Sequence, residues 1–174
     1  MIFFDKYSLK FRLVTENDAA FILDLRTNPL KSKHISPTDN DVDKQKVWIR
    51  EYKKREEAGD EFYFVITDED SIDFATYRIY NKTESTIEVG SFISIPSYKK
   101  PLNVVKVDII MKTFVFEALG FNYLCFEVRK ENKAVILYQR KFNPEVVMED
   151  DDNYYFKLKK KDFELNKLQF VSRD

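Results

Sequence analysis

Lys99 and Lys100 stand directly before Pro101, at the head of a long and mostly apolar run. Proline suits the first helical position because its fixed φ fits and its missing N–H would go unpaired anyway. The open N–H groups of a helix start and the positive end of its dipole attract anions, so this arrangement suits a polyanion. The same pair fits an ordinary solvated loop. A carboxylate that could take up a proton lies upstream at Glu88, two residues before Gly90. Downstream, Asn132 heads a helical pattern that carries Tyr138 and Gln139. His34 and Cys125 are the only histidine and cysteine, which leaves no metal-ligand constellation and no internal disulfide. Cys125 alternates into a strand face with no histidine near it in sequence, as a small buried hydrophobe would.

The elements that must position these residues follow from pattern and punctuation. Residues 86–95 alternate β-branched and aromatic types with period two, and Pro96 stops the strand because it has no donor for a ladder. Gly90, inside that strand, marks either a bulge or a close approach of a side chain to the backbone. Residues 101–119 predict a helix with Gly120 as its left-handed cap. Its polar positions Asn103, Lys106, Thr113 and Glu117 form one narrow stripe, with Asp108 and Lys112 spaced i,i+4 on the other side, so the helix is mostly buried. Residues 122–128 predict a second strand and 129–142 a second helix, which makes a right-handed crossover between parallel neighbours. Upstream, 9–14 reads as a strand, Thr15 with Asp18 as a capping box, and 19–26 as a helix ended by Asn28-Pro29. Asp41 caps a charged helix that holds Trp48 and Tyr52 and closes at Gly59. Residues 62–67 and 72–80 form two strands, and 145–148 with 153–159 the last pair. Residues 163–170 form a short packed helix or a swapped tail.

This order over about 160 residues resembles the GNAT N-acyltransferases. So do the segments Leu25-Arg26-Thr27-Asn28, Trp48-Ile49, Arg78-Ile79-Tyr80-Asn81, Glu88-Val89-Gly90-Ser91-Phe92 and Phe126-Glu127-Val128-Arg129 leading to Asn132. The wording is closest to the branch of ribosomal-protein and amino-sugar N-acetyltransferases. The resemblance implies an α+β, three-layer fold: a mixed, largely antiparallel sheet with a splayed parallel central strand pair, flanked by helices. It implies residues 1–162 as a single acyltransferase domain with 163–174 as a tail.

By the same resemblance the cofactor is acetyl-CoA or another acyl-CoA, held by Ile93, Ser94, Ile95, Lys99, Lys100, Leu102, Asn103, Asn132 and Gln139. A backbone N–H near Ile95 would polarise the thioester carbonyl. Glu88 would be the general base, directly or through a water; its other reading is a cross-strand ion pair on a solvent face. Tyr138 would be the general acid if the helix were rotated, since the family's tyrosine position holds Gln139; otherwise it is a core tyrosine. Arg26, His34 and Gly90 would line the acceptor site. Arg26 equally suits a helix-end cation and His34 a solvated loop. The chain departs from the pattern at 98–104, where the family's phosphate-loop glycines are absent and Pro101 removes a donor.

The implied reaction transfers a short acyl group to a primary amine of a small molecule, an amino sugar first among them. A GNAT-fold binding module without turnover and a protein N-terminal acetyltransferase are the alternatives. Net charge is −1 with the signs interspersed, which argues against a nucleic-acid surface. No apolar run long enough for a membrane helix or a signal peptide is present, so a soluble, reducing, cytoplasmic setting is expected. Sixteen phenylalanines and ten tyrosines fill one core and leave rings for a homodimer contact.

Overall fold

The computed structural model describes residues 2–32, 35 and 37–171, so His34 lies outside the described residues. Eight strands follow the hydrogen-bonded order β1-β2-β3-β4-β5-β6-β8-β7. They are β1 (Ile2–Lys6), β2 (Leu9–Leu13), β3 (Phe62–Thr67), β4 (Asp73–Tyr80), β5 (Thr86–Ser94), β6 (Tyr123–Arg129), β7 (Glu145–Glu149) and β8 (Asn153–Lys159). The helices are α1 (Ala19–Thr27), α2 (Pro29–Ser32), α3 (Val42–Glu57), α4 (Pro101–Thr113), α5 (Lys133–Arg140) and α6 (Lys160–Val171). The expected mixed sheet with flanking helices is thus present, and among the described residues β5–β6 is its parallel pair. The chain forms two compact units: Met1–Asn81 with Gly90–Ile110, and Lys82–Val89 with Met111–Asp174.

In the first unit, β1 and β2 form a hairpin whose two turn residues, Tyr7 and Ser8, both take positive φ. That turn twists with its strands but lacks the usual Asn or Gly, so nothing in the sequence announced β1. β2, β3 and β4 continue antiparallel. Val14, Ala19, Ile22, Ile49, Tyr52, Tyr63 and Val65 pack as one buried cluster that joins α1 and α3 to this sheet. The Thr15–Asp18 capping box forms as expected on a single 3-10 turn. Asp18 also takes a two-pronged grip from Arg12, at 2.8 and 2.7 Å, while Arg12 reaches Asp73 at 2.9 Å. Burial pushes Asp18 up, but the Arg12 and Thr15 hydrogen bonds outweigh it and hold the carboxyl below its usual range.

The second unit pairs the start of β5 with β6 in three parallel register pairs, from Thr86↔Tyr123 to Glu88↔Cys125. β5 itself is nine residues long and β6 seven. β6, β8 and β7 are antiparallel. α4 gives way to a π-helical turn over Phe114–Ala118, in which Leu119 donates to the Phe114 carbonyl before Gly120 caps at φ +77. α6 is the packed helix of the two readings for the tail: Phe163 is fully buried against Phe116 and Phe142. No helix among the described residues is long and apolar enough to cross a membrane.

Candidate active site

α4 starts at Pro101 as its sequence requires, but the cations before it are not equivalent. Lys100 Nζ donates to Glu69 at 2.9 Å and Asp68 at 3.2 Å, and also to Asp70. These carboxylates hold the lysine well above its ordinary range, Asp70 most strongly. They belong to the β3–β4 turn, where Asp68 Oδ1 also accepts from the Asp70 and Ile72 amides. Asn103 turns to the same turn, donating to Glu69 at 3.3 Å and to the Tyr98 hydroxyl at 2.8 Å. Tyr98 stacks on Phe74 at 4.1 Å and donates to Asp68; burial, with Asp68 adding to it, pushes its hydroxyl up to about 12. Lys100 and Asn103, expected on the cofactor, are therefore committed to an acidic turn. Lys99 and Leu102 remain exposed.

Ile93 is buried, Ser94 Oγ accepts from Lys31 at 3.2 Å, and the Ile95 N–H donates to the Phe74 carbonyl at 2.8 Å. The expected donor is a backbone N–H near Ile95, and that bond bears on one amide of the segment. The Ile95 amide itself is paired with Phe74.

In the second unit Asn132 caps α5, its side chain accepting from the Val135 amide. Gln139 is buried and accepts from Lys112 Nζ at 2.6 Å. Lys112 is fully buried, and the rings of Phe126, Tyr138 and Phe142 surround its ammonium at 5.3, 5.7 and 4.6 Å. Tyr138 is half-buried and packs edge-on against Phe142 and Phe170. The Gln139 amide thus answers a buried cation from α4, a partner 27 residues away that local spacing could not reveal.

Glu88 faces Cys125 across the parallel ladder. Burial, then the charges of Glu88 and Asp150, push Glu127 above its usual range, and burial likewise raises the Cys125 thiol. A thiol so raised is a poor nucleophile, whereas carboxylates gathered here suit an incoming amine and its proton.

The site that sequence reasoning left incomplete lies in the first unit. Arg26, Pro37, Thr38, Asp39, Gln45, Trp48, Tyr63, Arg78 and Ser91 line a cavity of about 300 Å³. Arg26 Nε donates to Thr38 Oγ1 at 2.6 Å and its Nη1 approaches Ser91 Oγ at 3.5 Å. The Arg78 guanidinium carbon lies over the Trp48 ring, 5.0 Å from its centroid, and over the Tyr80 ring, 4.5 Å from its centroid. Its Nε donates to Glu61, which is buried and also takes Arg55 Nε at 2.6 Å. Gly90 belongs to this construction: a Cβ there would meet the Tyr80 hydroxyl at 2.6 Å. The close approach is therefore to Tyr80, and Ser91 follows at φ 47, a local break in the strand's extended backbone. Arg78 and Trp48 stood in the segments that carried the resemblance, which was the available signal.

An Asn-capped helix after a strand, a break in β5's extended backbone at Ser91 and a short parallel ladder thus frame the site. The family model "Acetyltransferase (GNAT) domain" matches residues 8–141, and the chain belongs to that family. The chain is similar to FdhC, described as a nucleotide-linked sugar GNAT: identity is 34%, coverage 96% of this chain and 95% of that one, and TM-score 0.84. A point mutant of the spermidine N-acetyltransferase SpeG of Vibrio cholerae has 14% identity, coverage of 91% and 97%, and TM-score 0.73. The ribosomal-protein-S5-alanine acetyltransferase of Vibrio fischeri has 15% identity, coverage of 92% and 97%, and TM-score 0.72. The last two show the shared fold. No curated protein sequence matches the chain significantly.

Proposed function

We propose that this GNAT acetyltransferase moves an acetyl or other short acyl group from acyl-CoA to the primary amine of a nucleotide-linked amino sugar. The observation that carries the reading is the likeness to FdhC along nearly the whole chain. Glu88 takes the amine proton, directly or through a water, and the amine attacks the thioester carbonyl. Direct transfer fits a Cys125 thiol that burial keeps protonated. A thiol leaving group with a pKa of about 8.5 departs as thiolate without a strong acid, so no side chain is assigned that role. For the donor, Lys99 is the exposed ammonium beside the start of α4. Lys100 contributes little net charge there, because three carboxylates already answer it.

The paired Ile95 amide and the engaged Lys100 favour one other reading, a GNAT-fold binding protein without turnover. Two measurements test the proposal together. Titration with acetyl-CoA is expected to show binding, and Glu88→Gln to lower turnover about a hundredfold with donor affinity unchanged. Absence of binding at millimolar acetyl-CoA sinks the enzyme; a loss under threefold removes Glu88 from the role.

A further inference from the structure

We infer that the cavity between Arg26 and Arg78 is the seat of the acceptor's diphosphate; this deepens the proposed function and rests on its nucleotide-linked substrate class. Of the three guanidinium nitrogens of Arg78 only Nε is engaged, by Glu61, and the two terminal nitrogens donate to no described residue. A guanidinium presents five N–H donors in a planar fork, and one anchored edge leaves the opposite edge aimed at a ligand. The guanidinium lies over the rings of both Trp48 and Tyr80, contacts that restrict it before anything binds.

The electrostatic balance points the same way. Glu61 serves both Arg55 and Arg78 and cannot neutralise both. Asp39, the one carboxylate among the described residues that line the cavity, is taken by Lys44 at 2.9 Å. Arg26 lines the same cavity, and its hydrogen bonds to Thr38 and Ser91 go to uncharged hydroxyls. Two guanidinium groups thus line the cavity, and its one described carboxylate is paired with Lys44.

A second, independent observation lies in its wall. Tyr63 lines the cavity at 2% exposure, and its buried hydroxyl makes no hydrogen bond of good geometry, though Thr76 and Arg26 stand near enough to lower its pKa. Burial pushes that hydroxyl's pKa up, and the charges of Arg26 and Arg78, which line the same cavity, oppose the shift. Leaving a buried hydroxyl without a well-aligned partner is costly, and a bound group with several oxygens would relieve it. Two guanidiniums beside one cavity suit a multiply charged, many-oxygened anion better than a single carboxylate. A volume of about 300 Å³ holds the phosphates and their immediate attachments, not a whole sugar nucleotide.

Calorimetric titration of the full chain with uridine diphosphate, thymidine diphosphate and inorganic phosphate tests the inference. The wild-type protein is expected to bind a nucleoside diphosphate, more weakly at high salt, and phosphate alone less well. Arg78→Met and Arg26→Met are each expected to weaken that binding at least about tenfold, with acetyl-CoA affinity unchanged. Arg78→Lys keeps the charge, cannot reproduce the fork, and is expected to bind about as poorly as Arg78→Met; it serves also if the methionine variant does not fold. Equal binding by the wild type and the variants, or none up to millimolar ligand, overturns the inference. The two proposals fail separately. Diphosphate binding without acylation of any nucleotide-linked amino sugar sinks the function and leaves the cavity assigned. Acylation with an unchanged acceptor KM in Arg78→Met sinks the cavity and leaves the function.

Discussion

Lys100 and Arg78 are both cations beside a sheet in the first unit, yet their surroundings assign them opposite work. Lys100 is a point charge that three carboxylates of one turn surround, so it fastens the head of α4 to the β3–β4 turn. Arg78 is anchored by one edge and two aromatic faces, and its remaining donors border a cavity. A cation's type and place in the chain do not by themselves make a binding site. What decides is whether its donors outnumber the acceptors the fold brings to it. An ammonium is easily quenched by a single acidic loop, whereas a guanidinium can be tied down and still offer a fork.

Substitutions at these cations and their neighbours separate the two roles. The largest effect is expected from Arg78→Met, a fall of about a hundredfold in kcat/KM for the nucleotide-linked acceptor, read by steady-state kinetics with the donor KM as control. Next comes an arginine whose terminal nitrogens are both answered: Arg12 is held by Asp18 and Asp73, so Asp18→Asn should cost about 2 kcal/mol of stability in denaturant unfolding and leave kinetics alone. The same contact fixes the behaviour in acid. Asp18 titrates lower in the folded state than in the unfolded one, so its contribution is complete above about pH 4 and is lost as pH falls through the folded value. The wild type should therefore lose more stability on acidification than Asp18→Asn. Gly90→Ala should displace Tyr80 and loosen its contact with Arg78, raising the acceptor KM about tenfold. Lys100→Met should change the acetyl-CoA KM by less than about twofold, and Lys99→Met by more, with the larger salt dependence.

Much of the scaffold was legible because caps and periodicity are local. Thr15 with Asp18, Asp41, Pro101, Asn132 and the left-handed Gly59, Gly120 and Asn143 each mark a boundary that the structure honours. The misses have physical causes of two kinds. Some elements lack punctuation: β1 turns on Tyr7 and Ser8, α6 begins at Lys160 directly after β8, and the π turn rewinds a helix whose pattern is apolar throughout. Elsewhere the partner is distant. Lys100 meets acids about thirty positions away, Gln139 meets Lys112, and the Ile95 amide meets Phe74. The arginine cavity was half legible, since Arg26 was expected there while Arg78 entered only as part of a resembling segment. Its role depends on Glu61 and Tyr80, which no spacing connects to it.

The decisive measurement is release of CoA thiol from acetyl-CoA by the purified protein, with nucleotide-linked amino sugars, free amino sugars and peptide N-termini compared side by side. The expected result is release above background hydrolysis that depends on the nucleotide-linked amine, falls in Arg78→Met and Glu88→Gln, and yields an amide product by mass spectrometry. Release that is fastest with a peptide or a free sugar and indifferent to Arg78, or no release with any amine, would refute the assignment.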